Sequence, residues 1–196
     1  MTVDLAFPPT EATPFISLPR AVARFGKDAQ GRPLMERRRL QAIALSGALD
    51  AMTGTTAVQI GTTGCVVVSE AGIEALHNAP EVDLSVPHER IVNLRVNPAK
   101  LATDAGRHYM GWHAAMTDEE ARLGVTRWWP PPKDDVRGLR CIATVRGLIV
   151  YVGRIQSVHY HQGMVGFDLD TTDQALRDSL LFHRVPTQRG GTFAYI

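Results

Sequence analysis

The sequence of 196 residues predicts an α+β protein. We expect a small, strongly curved sheet or barrel in the C-terminal half, flanking helices, and an α/β layer formed by the N-terminal half. Two patterns predict this class: apolar residues recur at helical spacing over residues 34–52, and short strand-like runs follow one another after residue 139. With 44% hydrophobic residues, the chain can also bury the core of one domain or two small ones.

Charge, the length of the apolar runs and the two cysteines exclude some classes of protein. The 21 Lys and Arg residues are balanced by 20 Asp and Glu residues, which argues against a strongly basic nucleic-acid-binding protein but leaves room for a local basic patch. The apolar runs are shorter than the roughly 20 residues that cross a bilayer, and the N-terminus lacks the pattern of a signal peptide. We therefore expect a cytoplasmic protein with no membrane partner, in which Cys65 and Cys141 are reduced and behave as small hydrophobic residues in strands.

Residues 1–32 predict an extended N-terminal arm. Prolines and polar residues dominate this stretch, and only residues 14–18 predict a short strand. Extended proline-rich segments lose little conformational entropy on binding. The arm and the proline-rich loop at 130–132 therefore support one alternative function, in which the protein is a subunit that docks on a protein partner.

Residues 33–106 predict an N-terminal α/β segment. Its strongest signal is one helix over residues 34–52, which Gly54 should end because glycine favours the left-handed conformation at helix ends. Three arginines at 37–39 fall in the first turn, where we expect a solvated charged face rather than a phosphate contact. The other elements are a strand pair joined by a glycine-containing turn, a short helix and a further strand, at residues 56–60, 64–69, 70–77 and 90–96.

Residues 107–196 hold most of the aromatic residues and all three tryptophans, so we expect any ligand-binding surface in this half. Thr117 and Glu120 match a capping box, which predicts a helix of about two turns that ends near Gly124. Four strands and one further helix are predicted after it, the strands at 139–145, 148–158, 163–169 and 193–196 and the helix at 172–181.

The order of motifs in the last 90 residues resembles that of PUA-like barrel domains, the group that includes EVE and ASCH domains. The matching motifs are the Thr-Asp-Glu-Glu helix start, Arg127-Trp128-Trp129, the hairpin from Cys141 to Ile155, the strand at 165–169 and the C-terminal stretch 188–196. Those domains usually carry Arg-Gly before the tryptophan, whereas here Arg127 directly precedes Trp128. The resemblance implies that residues 107–196 form a small barrel whose pocket accepts a nucleobase or a similar flat ligand.

A nucleobase removed from its stack needs aromatic faces and polar groups at its edge. The residues that can supply them are Arg127, Trp128, Trp129, Tyr151, Arg154, His159, Tyr160, Gln188 and Arg189. The two adjacent tryptophans have a second interpretation, because such pairs usually place one ring in the core and leave the other half-exposed. We predict a non-catalytic binding module, without a cofactor, that recognises a nucleic acid or a modified nucleobase.

A small metal-dependent enzyme is the other alternative. Side chains alternate along a strand, so His159 and His161 should share one face. With Asp168 they could form a two-histidine, one-carboxylate site for a divalent transition metal. The glutamate of a full cupin pattern is missing, however, and the sequence contains no nucleophile elbow, phosphate-binding loop or dinucleotide-binding motif.

Overall fold

The structure, a computed structural model, describes residues 14–83, 90–104, 106–186 and 193–196. Helices and strands are mixed along the chain, and the strands form sheets of three, five and two strands. The five-stranded sheet curls into a half-barrel in the C-terminal half, so the predicted α+β class is confirmed. None of the helices in these ranges has the length and apolar character that a membrane span requires.

The chain enters the core directly after residue 14. Strand β1 (Phe15–Ser17) is followed by helix α1 (Leu18–Arg24), which has a proline in its first turn. Ile16, Leu18 and Phe25 are buried. The expected strand is therefore present, but the prediction of an extended arm is wrong for this part of it, because its apolar side chains pack into the protein's own core. Residues 1–13 of the predicted arm lie outside the described residues.

The single helix expected over residues 34–52 is two helices. Helix α2 (Arg37–Leu45) and helix α3 (Ala48–Thr53) are separated by Gly47, which has a left-handed φ of 71°. A Cβ on Gly47 would lie 3.1 Å from the Cβ of Ala114, so the break also permits a close approach of two segments. Gly54 ends α3 with a φ of 67°, as the sequence predicts.

The predicted hairpin and the helix after it are present. Strands β2 (Val58–Ile60) and β3 (Val66–Ser69) pair antiparallel, and β1 pairs on the other side of β3. Helix α4 (Glu70–Asn78) begins at Ser69, whose Oγ accepts a hydrogen bond of 3.0 Å from the backbone N–H of Gly72. These elements form the N-terminal layer of the protein.

The middle of the chain contains β4 (Ile91–Val96), the two-residue strands β5 (Lys100–Leu101) and β6 (Tyr109–Met110), and helix α5 (Asp118–Thr126). The capping box of α5 is confirmed. Thr117 Oγ1 accepts from the backbone N–H of Glu120 at 3.2 Å, and Glu120 Oε2 accepts from the backbone N–H of Thr117 at 3.0 Å. The helix continues past Gly124, where the sequence predicted its end.

The remaining elements are β7 (Arg140–Val145), β8 (Leu148–His161), β9 (Met164–Asp170), α6 (Gln174–Leu180) and β10 (Phe193–Tyr195). They match the predicted order, but β8 extends beyond residue 158. The reason is that β8 and β9 stay paired up to a tight turn at Gln162 and Gly163, with φ of 49° and 75°. The far end of β8 therefore projects as a two-stranded hairpin.

Strand β4 lies before the predicted domain boundary at residue 106 but pairs with strands that come after it. It belongs to the segment 33–106, yet the order of the large sheet is β10-β4-β7-β8-β9. It pairs parallel with β7, with Asn93 opposite Ile142, and antiparallel with β10. One core cluster also joins Leu40 of α2 to Phe167 of β9. The sheet of the C-terminal half is thus not made from residues 107–196 alone.

The two cysteines lie in different surroundings. Cys141 is buried in β7, and this burial raises the pKa of its thiol far above the ordinary value. Cys65 is exposed before β3, so the expectation that both behave as small hydrophobic residues in strands is wrong for Cys65. Both are free thiols.

Candidate functional site

The segment after α5 runs along the edge of the large sheet. Trp129 and Val165 of β9 exchange two backbone hydrogen bonds of 2.8 Å each. The indole of Trp129 is buried, and its Nε1–H donates to the carbonyl of Val125 at 2.9 Å. Trp128 is half-buried. The expectation that one tryptophan packs in the core and the other is half-exposed is confirmed, so Trp129 is not available to a ligand.

Trp128 stacks on the exposed His161 near the end of β8. Their ring centroids are 5.0 Å apart and their planes are inclined by 28°. The guanidinium carbon of Arg127 lies 5.1 Å from the centroid of Trp128, within the range of a cation–π contact. Gly166 of β9 makes this arrangement possible, because a Cβ there would lie 2.9 Å from Cζ3 of Trp128.

Asp168 of β9 joins this aromatic pair to a polar network. Arg127 Nη2 donates to its Oδ1 at 3.1 Å, and Arg122 Nη1 lies 3.6 Å from the same oxygen. Ser157 Oγ donates to Oδ2 at 2.8 Å, and His159 Nε2 forms a hydrogen bond with Oδ2 as well. The carboxylate therefore fixes the positions of side chains from α5, the following loop and β8.

The environment of Asp168 favours its ionised form. Partial burial alone would raise the pKa of the carboxyl group. Hydrogen bonds from His159 and Ser157, together with the positive charges of His159 and Arg127, outweigh that effect and lower the pKa below its ordinary value. Asp168 is thus a stable acceptor at neutral pH rather than a proton donor.

The proximity of serine, histidine and aspartate here does not form a hydrolase triad. Nε2 of His159 lies 3.1 Å from Ser157 Oγ and also contacts Asp168. A triad histidine uses one ring nitrogen for the serine and the other for the carboxylate. Ser157 instead donates its own proton to Asp168, so its oxygen is not activated as a nucleophile.

The alternative metal site is not formed. Within the described ranges, no three His, Cys, Asp or Glu side chains come together as metal ligands. His159 hydrogen bonds to Asp168, but the ring of His161 stacks on Trp128. The positions of these three side chains therefore do not favour the predicted metal site.

Other predicted site residues are placed elsewhere. Tyr151 is buried, and its hydroxyl donates to Asp118 Oδ1 at 3.2 Å; burial and the charge of Asp118 raise the pKa of this phenol. Arg154 donates to the carbonyl of Gly138 at 3.0 Å. The prediction that Tyr151 offers a face to a ligand is wrong. Gln188 and Arg189 lie outside the described residues.

Tyr160 is 75% exposed but points to the opposite face of β8 from His159. There it lines an open groove of about 610 Å³ together with Val158 and the loop from Pro132 to Arg137. The nine predicted ligand-binding residues thus do not share one site. Arg127, Trp128 and His159 are the ones that the structure brings together.

Three residues of the cluster, Gly166, Ser157 and Arg122, were predicted neither as ligand-binding residues nor as metal ligands. A glycine inside a strand indicates a close approach of another group, which is the signal that Gly166 offered. Ser157 precedes His159 by two positions, so alternation along β8 could have placed it on the same face. No pattern in the sequence indicates that Arg122 belongs to the site, because only the packing of α5 beside β9 brings it to Asp168.

Comparison of the chain with protein-family models, curated proteins and solved structures finds no match. The resemblance to PUA-like domains therefore stays a prediction.

Proposed function

We propose that the protein is a binding module for a ligand that contains a nucleobase. The proposed site is the surface formed by Arg127, Trp128, His159 and His161, named here the Trp128 surface. The stacking of Trp128 on the exposed His161 is the observation that carries this proposal. A flat ligand ring can replace the imidazole or extend the stack, and a base stacked on an aromatic side chain contributes about 1–3 kcal/mol.

Polar groups surround this stack at positions suited to the edge of a base. The side chain of His159 is 47% exposed beside Asp168. Arg127 Nη2 contacts Asp168, whereas the buried Nε of Arg127 has no acceptor among the described residues. The Nε atom is too enclosed to meet a ligand, so the Nη groups, which Asp168 holds in place, are the donors suited to the ring nitrogens and carbonyl oxygens of a base edge.

The charges of the cluster favour contact with a base over contact with a phosphate backbone. Asp168 partly neutralises Arg127, and Arg122 donates to both carboxylate oxygens of Glu119 at 2.8 Å. Affinity for the backbone grows with the number of basic groups that meet phosphates. We therefore expect binding that depends on the base and its modifications and only weakly on salt.

The half-barrel is compatible with the PUA-like resemblance, which implies the same class of ligand. The alternative of docking on a protein partner is less favoured, because the part of the predicted arm that is described packs into the core. The groove beside Tyr160 and the loop at 130–132 stay outside the proposed site.

Measuring ligand binding with a Trp128→Ala variant tests the proposal. Isothermal titration calorimetry with natural and modified nucleosides, and fluorescence anisotropy with labelled single-stranded DNA and RNA, should detect binding to the wild-type chain. We expect Trp128→Ala to raise the dissociation constant about tenfold to a hundredfold, the loss expected from removing one stacking partner. Tyr160→Ala is the matched control, because it removes an exposed ring from the other face of β8 and should leave binding unchanged.

Two results would contradict the proposal: no binding of any of these ligands at millimolar concentration, or an equal loss of affinity in both variants. Circular dichroism checks that Trp128→Ala is folded. His159→Ala gives a second test that leaves the packing against Gly166 intact, and we expect it to weaken binding several-fold through loss of one hydrogen bond at the base edge.

A further inference from the structure

Arg39 is a partly buried cation that rests on a backbone carbonyl group in a turn of the large sheet. It lies in the first turn of α2, and its Nε donates to the carbonyl of Arg146 at 2.9 Å. A Cβ on Gly147 would lie 3.2 Å from its Nη2, so the guanidinium rests against the turn between β7 and β8. Within the part of the chain that the structure describes, Arg39 forms no ion pair with a carboxylate.

A second arginine is fixed at the same turn. The backbone N–H of Val185 donates to the carbonyl of Gly147 at 2.8 Å. Arg184 itself forms an isolated antiparallel β-bridge with Leu148. Arg184 Nε donates to the carbonyl of Ala79 at 2.9 Å, while its Nη2 is 3.8 Å from Oε1 of Glu81. Both guanidiniums are thus oriented by backbone carbonyls rather than by short ion pairs.

This arrangement places like charges together in a partly desolvated environment. Burial, and then the charge of Arg184, lower the pKa of Arg39, and the carboxylates of Glu36 and Glu81 offset this only in part. An anion between the two guanidiniums would remove the repulsion and would accept hydrogen bonds from their Nη groups. Guanidinium groups suit this task because their planar donors match the oxygens of phosphate and carboxylate.

We propose that Arg39 and Arg184 bind an oxyanion of the phosphate class at the turn between β7 and β8. The further positive charge of Arg146, which is exposed in the same turn, favours a multiply charged phosphate over a single carboxylate. The anion is inorganic phosphate or the phosphate group of a nucleotide or nucleic acid. The expectation of a solvated face at 37–39 fits the exposed Arg37 and Arg38, whereas Arg39 differs from it.

This site is separate from the Trp128 surface. Leu148 and His161 are the first and last residues of β8, roughly 40 Å apart along a strand that rises about 3.3 Å per residue. One mononucleotide therefore does not reach from one site to the other. The phosphate site goes beyond the proposed function, and neither depends on the other.

Inorganic phosphate is the first probe. At constant ionic strength, replacing sodium chloride with sodium phosphate should raise the melting temperature of the wild-type protein, because a ligand that binds the folded state stabilises it. Calorimetric titration then gives the dissociation constant. We expect Arg39→Gln to raise that constant about tenfold or more, as the loss of a charge-assisted hydrogen bond predicts. Arg37→Gln removes the same charge from the same helical turn and should change it less than about twofold.

Further arms of the experiment identify the source of the anion and keep the proposal testable if Arg39→Gln does not fold. Adenosine 5′-monophosphate and a short single-stranded oligonucleotide, compared with inorganic phosphate, show which phosphate compound binds best. Arg184→Gln should weaken phosphate binding as Arg39→Gln does, and Trp128→Ala should leave it unchanged. In the wild-type chain, phosphate should slow the modification of Arg39 and Arg184 by phenylglyoxal, but not that of Arg37.

The proposal is overturned if phosphate and chloride stabilise the wild-type protein equally, or if Arg39→Gln and Arg37→Gln bind phosphate alike. Equal rates of modification of Arg39 with and without phosphate would overturn it as well, without any variant.

Discussion

Gly166 has no side chain, and this allows Trp128 and Arg127 to lie against β9. An added Cβ would be 2.9 Å from Trp128 and 3.0 Å from Cδ of Arg127. Gly166→Ala should therefore displace the indole, lower the free energy of unfolding by about 1–3 kcal/mol, and weaken ligand binding at the Trp128 surface. Urea unfolding followed by circular dichroism measures the first effect.

Gly61→Ala is the control for this substitution, because a Cβ at Gly61 would meet the carbonyl oxygen of Cys65 at an ordinary 3.6 Å. We expect it to change stability much less than Gly166→Ala. If the two variants were equally stable, the close contact at Gly166 would not determine where Trp128 lies.

Asp168 predicts a specific dependence of stability on pH. Its pKa is lowered in the folded state, where hydrogen bonds and the charges of His159 and Arg127 outweigh the opposite effect of burial. A carboxylate of this kind stabilises the fold above the pKa of the unfolded chain, near 3.9, and the contribution is lost as the pH falls through the lower folded-state pKa. Asp168→Asn should lower the free energy of unfolding at pH 7 by about 1–3 kcal/mol, and the difference from wild type should shrink below about pH 4.

Urea unfolding of both proteins between neutral and acidic pH provides this measurement. Asp134→Asn is a suitable control, since Asp134 forms an exposed ion pair with Arg90 at 2.9 Å and such pairs contribute little to stability. A stability difference for Asp168→Asn that stayed constant down to the most acidic pH would show that the ionised carboxylate is not the stabilising species.

At the scale of helices, the sequence predicts where apolar faces lie better than where a helix stops. Apolar spacing continues through residues 34–52 because α2 and α3 bury side chains in the same core. A glycine inside such a pattern is compatible with a continuous helix, at a cost of about 1 kcal/mol. The turn becomes visible only in the structure, where Gly47 has a left-handed φ and lies close to Ala114. The start of α5 had a local signal in the capping box of Thr117 and Glu120, and the structure confirms it.

At the scale of strands, one irregularity determines which predicted site residues meet. Simple alternation puts Tyr151 and His159 on the same face of β8, since they are an even number of residues apart. The pairing of β8 with β9 shifts between Ile155 and Ser157, so one extra residue interrupts the alternation. Tyr151 consequently faces the core, and His159 faces Asp168. No local motif in the sequence marks this bulge.

At the scale of the whole molecule, the candidate site is local in sequence but the sheet beneath it is not. Arg127 and Asp168 are 41 positions apart, within the aromatic-rich segment 107–196. The sheet, however, needs β4, which pairs with β7 from 49 residues earlier, Ile91 lying opposite Arg140. Parallel pairing between distant segments leaves no local pattern, so the sequence alone could not place β4.

The position of β4 predicts that residues 107–196 do not fold alone. Without β4, the fragment would lose the partner of both β7 and β10, and Val92 and Leu94 would be missing from the core. An exposed strand edge and an incomplete core favour unfolding or aggregation. We expect a fragment of residues 107–196 to show poorly dispersed amide signals in NMR spectra and no cooperative thermal transition. A fragment of residues 79–196, which keeps β4 and the contact of Pro80 with Arg184, should be more structured. A well-dispersed spectrum from the shorter fragment would mean that β7, β8 and β9 form a stable sheet without their parallel neighbour.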